Sequence, residues 1–180
     1  MEVIQTPLAG LLLLRPKLFR DSRGWFLESY NRETLRPHGI TETFVQDNHS
    51  RSQKNTLRGL HFQSSPGQAK LIRCTLGEIW DVAVDIRPGS ETFGRHYGTL
   101  LSQDDPLQVF VPIGFAHGFL VKSEWAEVQY KCSNVYNAVT ESGIAWDDPD
   151  LAVAWPLAGE TPVISDRDKK NRSFREVAGS

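Results

Sequence analysis

Nine short runs rich in β-branched, aromatic and aliphatic residues, at positions 24–30, 43–47, 56–62, 69–75, 78–86, 97–101, 107–111, 117–121 and 126–132, are each closed by Gly, Pro, Asn or Ser. So many strand-like runs in 180 residues indicate an all-β chain folded as a barrel or a sandwich. The clearest alternation sets Trp80, Val82, Val84 and Ile86 on one strand face and Asp81, Ala83 and Asp85 on the other, one face apolar and one mixed. Turns at Leu76-Gly77-Glu78, Arg87-Pro88-Gly89-Ser90 and Pro112-Ile113-Gly114 separate the central strands. Helix is minor. The best candidate is 31–36, where Asn31 supplies a cap and Pro37 and Gly39 a stop. The last forty residues, with Pro149, Pro156 and Pro162, read as irregular structure wrapping the barrel. No repeat, low-complexity tract or linker marks a second domain, so residues 1–180 are read as one.

A domain of this length buries roughly 70% of its unfolded surface, enough for a core without disulfides or metals. Cys74 and Cys132 lie in apolar, strand-like surroundings without metal-ligand spacing and are read as reduced core thiols. No apolar run approaches the ~20 residues of a membrane helix, 11–14 being only strand-like, and the start of the chain lacks a secretory pattern. The expectation is a soluble, cytoplasmic protein with no membrane partner. With 20 basic and 22 acidic side chains the net charge is −2, so no general field draws nucleic acid, and any bound phosphate falls to a few local Arg and Lys residues.

Three histidines, His49, His61 and His117, invite a functional reading, although a single histidine in a strand is more often structural. The segment Pro112-Ile113-Gly114-Phe115-Ala116-His117 resembles the second signature of the cupin superfamily, a barrel whose interior carries the site. A metal-binding cupin needs a His-x-His pair. Gln63 stands two residues after His61, so no three-histidine or two-histidine-plus-carboxylate set assembles locally, and a metal-free site with histidines free for acid–base work is expected.

Nine segments in order resemble one cupin family in particular, the dTDP-4-dehydrorhamnose 3,5-epimerases: 23–28, 44–52, 57–63, 68–73, 77–87, 112–119, 130–131, 141–149 and 164–168. The resemblance runs from about Pro7 to Asp168. It implies a cupin-type antiparallel β-barrel, or jelly roll, with a few short helices, assembled as a homodimer whose N-terminal strands reach into the partner. The implied reaction inverts carbons 3 and 5 of a dTDP-4-keto-6-deoxyhexose, each α to the carbon-4 ketone, through an enolate. By motif match His61 is the base, a role typically worth ~10²–10⁴-fold, and Asp168 orients it. Lys70 stabilises the enolate oxygen and Tyr130 returns the proton. Arg23 and Arg58 match positions gripping the pyrophosphate, where guanidinium forks suit phosphate oxygens. Tyr136 matches a position stacking on thymine, and Glu28, Gln46, Asn48, His117 and Glu141 match other substrate contacts. No hydride moves and no Gly-x-Gly-x-x-Gly loop occurs, so no nicotinamide or other cofactor is implied.

Strand alternation raises one difficulty: Arg58 and His61, three residues apart, belong on opposite faces unless Gly59 marks a bulge. There are also departures from the pattern. Arg167, a further substrate-binding candidate, stands where the family commonly has lysine, and the stretch Asn134-Val135-Tyr136-Asn137 is less typical than its flanks. Asp166 rivals Asp168 as the partner of His61. Relatives inverting carbon 3 or carbon 5 alone share most of these motifs, leaving a mono-epimerase as the alternative. A non-catalytic sugar-nucleotide-binding cupin is opposed by His61, Lys70 and Tyr130, and a metal-dependent oxygenase by Gln63.

Overall fold

A computed structural model describes residues 1–179. In chain order the strands are β1 (Glu2–Gln5), β2 (Leu12–Arg15), β3 (Leu18–Asp21), β4 (Gly24–Leu27), β5 (Gln46–Gln53), β6 (Leu57–Gln63) and β7 (Lys70–Leu76). They continue with β8 (Glu78–Asp85), β9 (His96–Ser102), β10 (Gln108–Val111), β11 (Phe115–Val121), β12 (Trp125–Cys132) and β13 (Glu141–Gly143). Helix α1 (Arg32–Leu35) runs into a 3₁₀ turn (Arg36–His38). A second 3₁₀ turn (Asp168–Lys170) and helix α2 (Phe174–Ala178) lie near the end of the chain.

Two antiparallel sheets face each other, one in the order β1-β2-β10-β7-β12-β5 and one in the order β13-β6-β11-β8-β9, while β3 and β4 form a separate hairpin. Between the sheets, Leu11, Leu13, Ile72, Ile79, Val109, Phe115, Phe119, Val121 and Val128 make the main core. The outer face of the six-stranded sheet carries Leu12, Leu14, Leu71 and Phe110, covered by Leu35 and Ile40 from the α1 region. On the outer face of the five-stranded sheet, Leu60, Val82, Val84 and Ala116 are covered by Ile144, Leu151, Trp155 and Phe174, so the C-terminal segment wraps this side. Both faces of β8 are therefore buried. Its uniformly apolar face points outward beneath that segment, and the mixed face of Asp81 and Ala83 lines the space between the sheets.

Several expected boundaries move. The 24–30 run pairs only over β4, and the 43–47 run gives way to a strand that begins at Gln46 and continues to Gln53. That continuation is polar throughout, yet burial alternates, with 46, 48, 50 and 52 turned inward and 47, 49, 51 and 53 exposed. A strand whose inner face lines a site carries polar residues where a core strand carries apolar ones. Pro37 sits within the 3₁₀ turn rather than ending it, and Gly39, at φ +85°, makes the stop. The C-terminal segment also holds a helix that was not expected, α2, whose capping box joins Ser173 and Glu176. Buried Asp148 ties α2 down by accepting from the Phe174 N–H at 2.8 Å. Among the described residues no helix is long and apolar enough to cross a membrane.

Candidate active site

The inner wall of the six-stranded sheet places side chains in rows, because directly opposed residues on neighbouring strands share a face. Cys132 on β12 opposes Gln46 on β5 and Lys70 on β7, and Tyr130 likewise opposes Asn48 and Ile72. Asn48 accepts from the Gln46 amide at 3.0 Å and its own amide reaches Cys132 Sγ at 3.6 Å. On the other wall His117 of β11 opposes His61 of β6 and Ala83 of β8, while Phe119 opposes Arg58 and Asp81. Gly118 alone on β11 thus faces both Gly59 and Leu60 on β6, which is a β-bulge. Gly59 occupies it at φ +131°, and a Cβ there would fall 2.5 Å from Gly118 Cα, a clearance that only glycine provides. The extra residue turns Arg58 and His61 to the same side, resolving the expected conflict of faces. Arg58 Nε donates to Ser52 Oγ on β5 at 3.0 Å.

His61 Nε2 lies 2.6 Å from Asp168 Oδ1. Burial alone would raise the Asp168 carboxyl, but His61, the Gly59 N–H and Ser165 outweigh it and hold it below the usual carboxylate range. An ionised carboxylate only accepts, so Nε2 carries the hydrogen, and in the neutral imidazole the lone pair is then on Nδ1. Asp166 instead pairs with Lys169 at 2.9 Å on the surface. His117 Nε2 lies 2.8 Å from Asp81 Oδ2, forming a second, fully buried histidine–aspartate pair. Burial lowers the Lys70 ammonium below its ordinary value, with Cys132, Glu141 and Asp81 opposing the shift. Tyr130 is pushed up by burial, so its phenol holds its proton at neutral pH, and Arg58 and Glu141 lie close enough to perturb it.

At the mouth, Arg167 pairs with Glu141 at 2.7 Å, and Glu141 hydrogen-bonds the half-exposed Tyr136, raising its phenol. The Tyr136 N–H donates to Gln46 Oε1 at 2.8 Å. His61, Asp168, Lys70, Tyr130, Gln46, Asn48, Arg58, His117, Tyr136, Glu141 and Arg167 are thus gathered in and around one interior. Arg23 and Glu28 are not. Arg23 is 88% exposed at the β3–β4 turn and bonds Asp21, and Glu28 bonds Asn31 and Thr34 beside α1. Among the described residues no group of three or more His, Cys, Asp or Glu side chains is placed to hold a metal ion.

The sequence model of dTDP-4-dehydrorhamnose 3,5-epimerase matches residues 5–176. The chain belongs to the dTDP-4-dehydrorhamnose 3,5-epimerase family. It is 49% identical to the dTDP-4-dehydrorhamnose 3,5-epimerase of Escherichia coli over 179 residues, 98% of this chain and 96% of that one. Its fold is similar to the dTDP-6-deoxy-D-glucose-3,5-epimerase of Legionella pneumophila solved with dTDP-4-keto-L-rhamnose. The identity is 45% and the TM-score 0.94, over 97% of this chain and 93% of that one. A 3'-monoepimerase from Streptomyces bikiniensis solved with dTDP-quinovose is less similar, at 32% identity and a TM-score of 0.88 over 94% and 86% of the two chains. The facing antiparallel sheets are the cupin-type jelly roll of the epimerase family.

Sequence reasoning on the epimerase motifs passed over Asp81, Ser52, Ser165 and the structural use of Gln63. Asp81 was visible as a carboxylate on the mixed face of β8, and Ser165 stands three residues before Asp168. Ser52 had no signal, since only the pairing of β5 with β12 turns it inward.

Proposed function

We propose that this chain inverts carbons 3 and 5 of a dTDP-4-keto-6-deoxyhexose, converting dTDP-4-dehydro-6-deoxy-D-glucose to dTDP-4-dehydro-L-rhamnose without a cofactor. The observation that carries the mechanism is the His61–Asp168 pair on one wall, with Lys70 and Tyr130 on the other. His61 Nδ1 removes the proton α to the ketone, and ionised Asp168 stabilises the imidazolium that forms. Electron density moves onto the carbon-4 oxygen, where the Lys70 ammonium, in a water-poor interior, stabilises the enolate. Tyr130 then delivers its proton to the opposite face of the ring. Inversion requires a base on one face and a proton donor on the other, and groups rooted in two facing sheets meet that requirement. Arg58 and Arg23 bind the pyrophosphate, and Tyr136 offers a flat ring to thymine.

Arg23 and Glu28 enter this reading through a second copy of the chain. The hairpin exposes Phe19, Trp25 and Phe26 at 52, 57 and 68%, and a cleft of ≈ 160 Å³ lies between it and the six-stranded sheet. Isolated aromatics are ordinary on a surface, but three on one hairpin suit a contact with another chain. In a homodimer the hairpin would carry Arg23 to the partner's barrel mouth. The free, buried Cys74 and Cys132 fit a reducing, cytoplasmic compartment.

Incubation with the 4-keto sugar nucleotide in deuterated water tests the reaction. The expected product carries deuterium at both carbon 3 and carbon 5, and His61→Ala is expected to abolish wash-in while leaving dTDP affinity nearly unchanged. Label at a single carbon would establish the mono-epimerase instead, and label at neither would remove the enzymatic reading.

A further inference from the structure

The segment that carries Tyr136 has no regular structure, yet its backbone is held at both ends of a short stretch by amides from the barrel wall. Gln63 is buried, at 8% exposure, on the inner face of β6, two residues beyond His61. Its Oε1 accepts from the Asn137 N–H at 3.1 Å and its Nε2 donates to the Val135 carbonyl at 3.4 Å. One side chain therefore brackets Tyr136 by gripping the residues before and after it. Gln46 completes the grip on the Tyr136 N–H from β5. A buried amide that spends both of its ends on a loop leaves that loop few alternative conformations, because releasing it would strand a buried donor and acceptor. The same strand face thus sets His61, two positions earlier, and the loop that bears the aromatic ring.

We propose that Gln63 is a positioning residue for substrate binding: it pins the 135–137 backbone so that the Tyr136 ring stands ready at the barrel mouth to receive the planar base of the nucleotide. Gln63 touches neither the base nor the reacting carbons; it acts by removing the cost of ordering the loop when the nucleotide arrives. The inference rests on Tyr136 being the base platform, and the experiment separates the two claims.

The test is a double-mutant cycle on dTDP affinity by calorimetry, with Gln63→Met, which keeps the length but not the hydrogen bonds, Tyr136→Ala, and both together. Tyr136→Ala is expected to weaken dTDP binding roughly 5- to 100-fold, the range of lost base–aromatic stacking. Gln63→Met is expected to weaken it about tenfold in the parent, less than twofold in the Tyr136→Ala background, and to raise KM for the sugar nucleotide while leaving kcat within about twofold. Should Gln63→Met fail to fold, Gln63→Asn, one methylene too short to reach the loop, is expected to give the same pattern. Equal losses in both backgrounds, as a merely structural residue or a direct nucleotide contact would give, overturn the proposal. So does parental affinity in Gln63→Met when Tyr136→Ala binds weakly, leaving the platform intact. Parental affinity in Tyr136→Ala would overturn the platform and the latch together.

Discussion

Tyr130 and His61 reach the interior from different sheets, and this division makes their roles separable by experiment. Tyr130→Phe keeps the ring and removes one proton donor. Through His61 alone the variant is expected to exchange substrate protons with solvent at near the parental rate while forming inverted product about 10²–10⁴-fold more slowly. Deuterium wash-in measured beside product stereochemistry checks it, and full inversion at the parental rate would move the acid to another residue or to water. The pairing of His61 with Asp168 spans 107 positions, so no local pattern in the chain identifies it. Motif resemblance brought both residues forward, and the choice between Asp168 and Asp166 waited on which carboxylate the 3₁₀ turn directs inward. Gln63 was legible only as a missing histidine. Its use as a latch depends on a loop that β-type patterning does not describe.

Strand by strand, legibility followed the apolar alternation. Apolar runs such as β7, β8 and β12 were found to within a residue at each end, because a core-facing strand announces itself by hydrophobic periodicity, while β11 starts two residues before its expected run. The eight polar residues of β5 and the short edge strands β1, β3 and β13 were not, since one lines a site and the others bury too little to need the pattern. The turn leading from β8 toward β9 shows what such connections contribute. Asp85, fully buried, accepts from Arg87 at 2.6 and 2.8 Å and from Ser90 and Thr92 at 2.6 Å. Burial by itself raises the Asp85 carboxyl, but these bonds together hold it well below the ordinary range. A carboxyl depressed in the folded state is protonated first in the unfolded chain as pH falls. Its stabilisation is therefore complete above the ordinary carboxylate range and is lost as pH drops toward the native value. Asp85→Ala is expected to cost about 3 kcal/mol at neutral pH by orphaning these donors. The gap from the parent should narrow in acid, as urea unfolding at pH 7 and at pH 3 would measure; a gap that widens in acid would refute the assignment.

For the molecule as a whole, the near-neutral charge leaves phosphate binding to particular arginines, and one of the two proposed for it, Arg23, stands outside the interior that holds His61. The homodimer proposed above closes that gap only if each barrel uses its partner's hairpin, and mixing two defective chains tests this directly. His61→Ala and Arg23→Ala homodimers are each expected to be nearly inactive, the first for want of a base and the second for want of a phosphate grip. In a mixed dimer the barrel that keeps His61 receives the intact Arg23 hairpin from the other chain, while the second barrel carries both defects. Random reassortment of equal amounts makes half of the dimers mixed, each with one complete site of two, so about a quarter of the parental activity should return. If Arg23 served its own barrel, every barrel would carry one defect and mixing would restore nothing. Light scattering of the parent at micromolar concentration supplies the companion measurement, since a monomer at that concentration would end the arrangement whatever the mixed samples did.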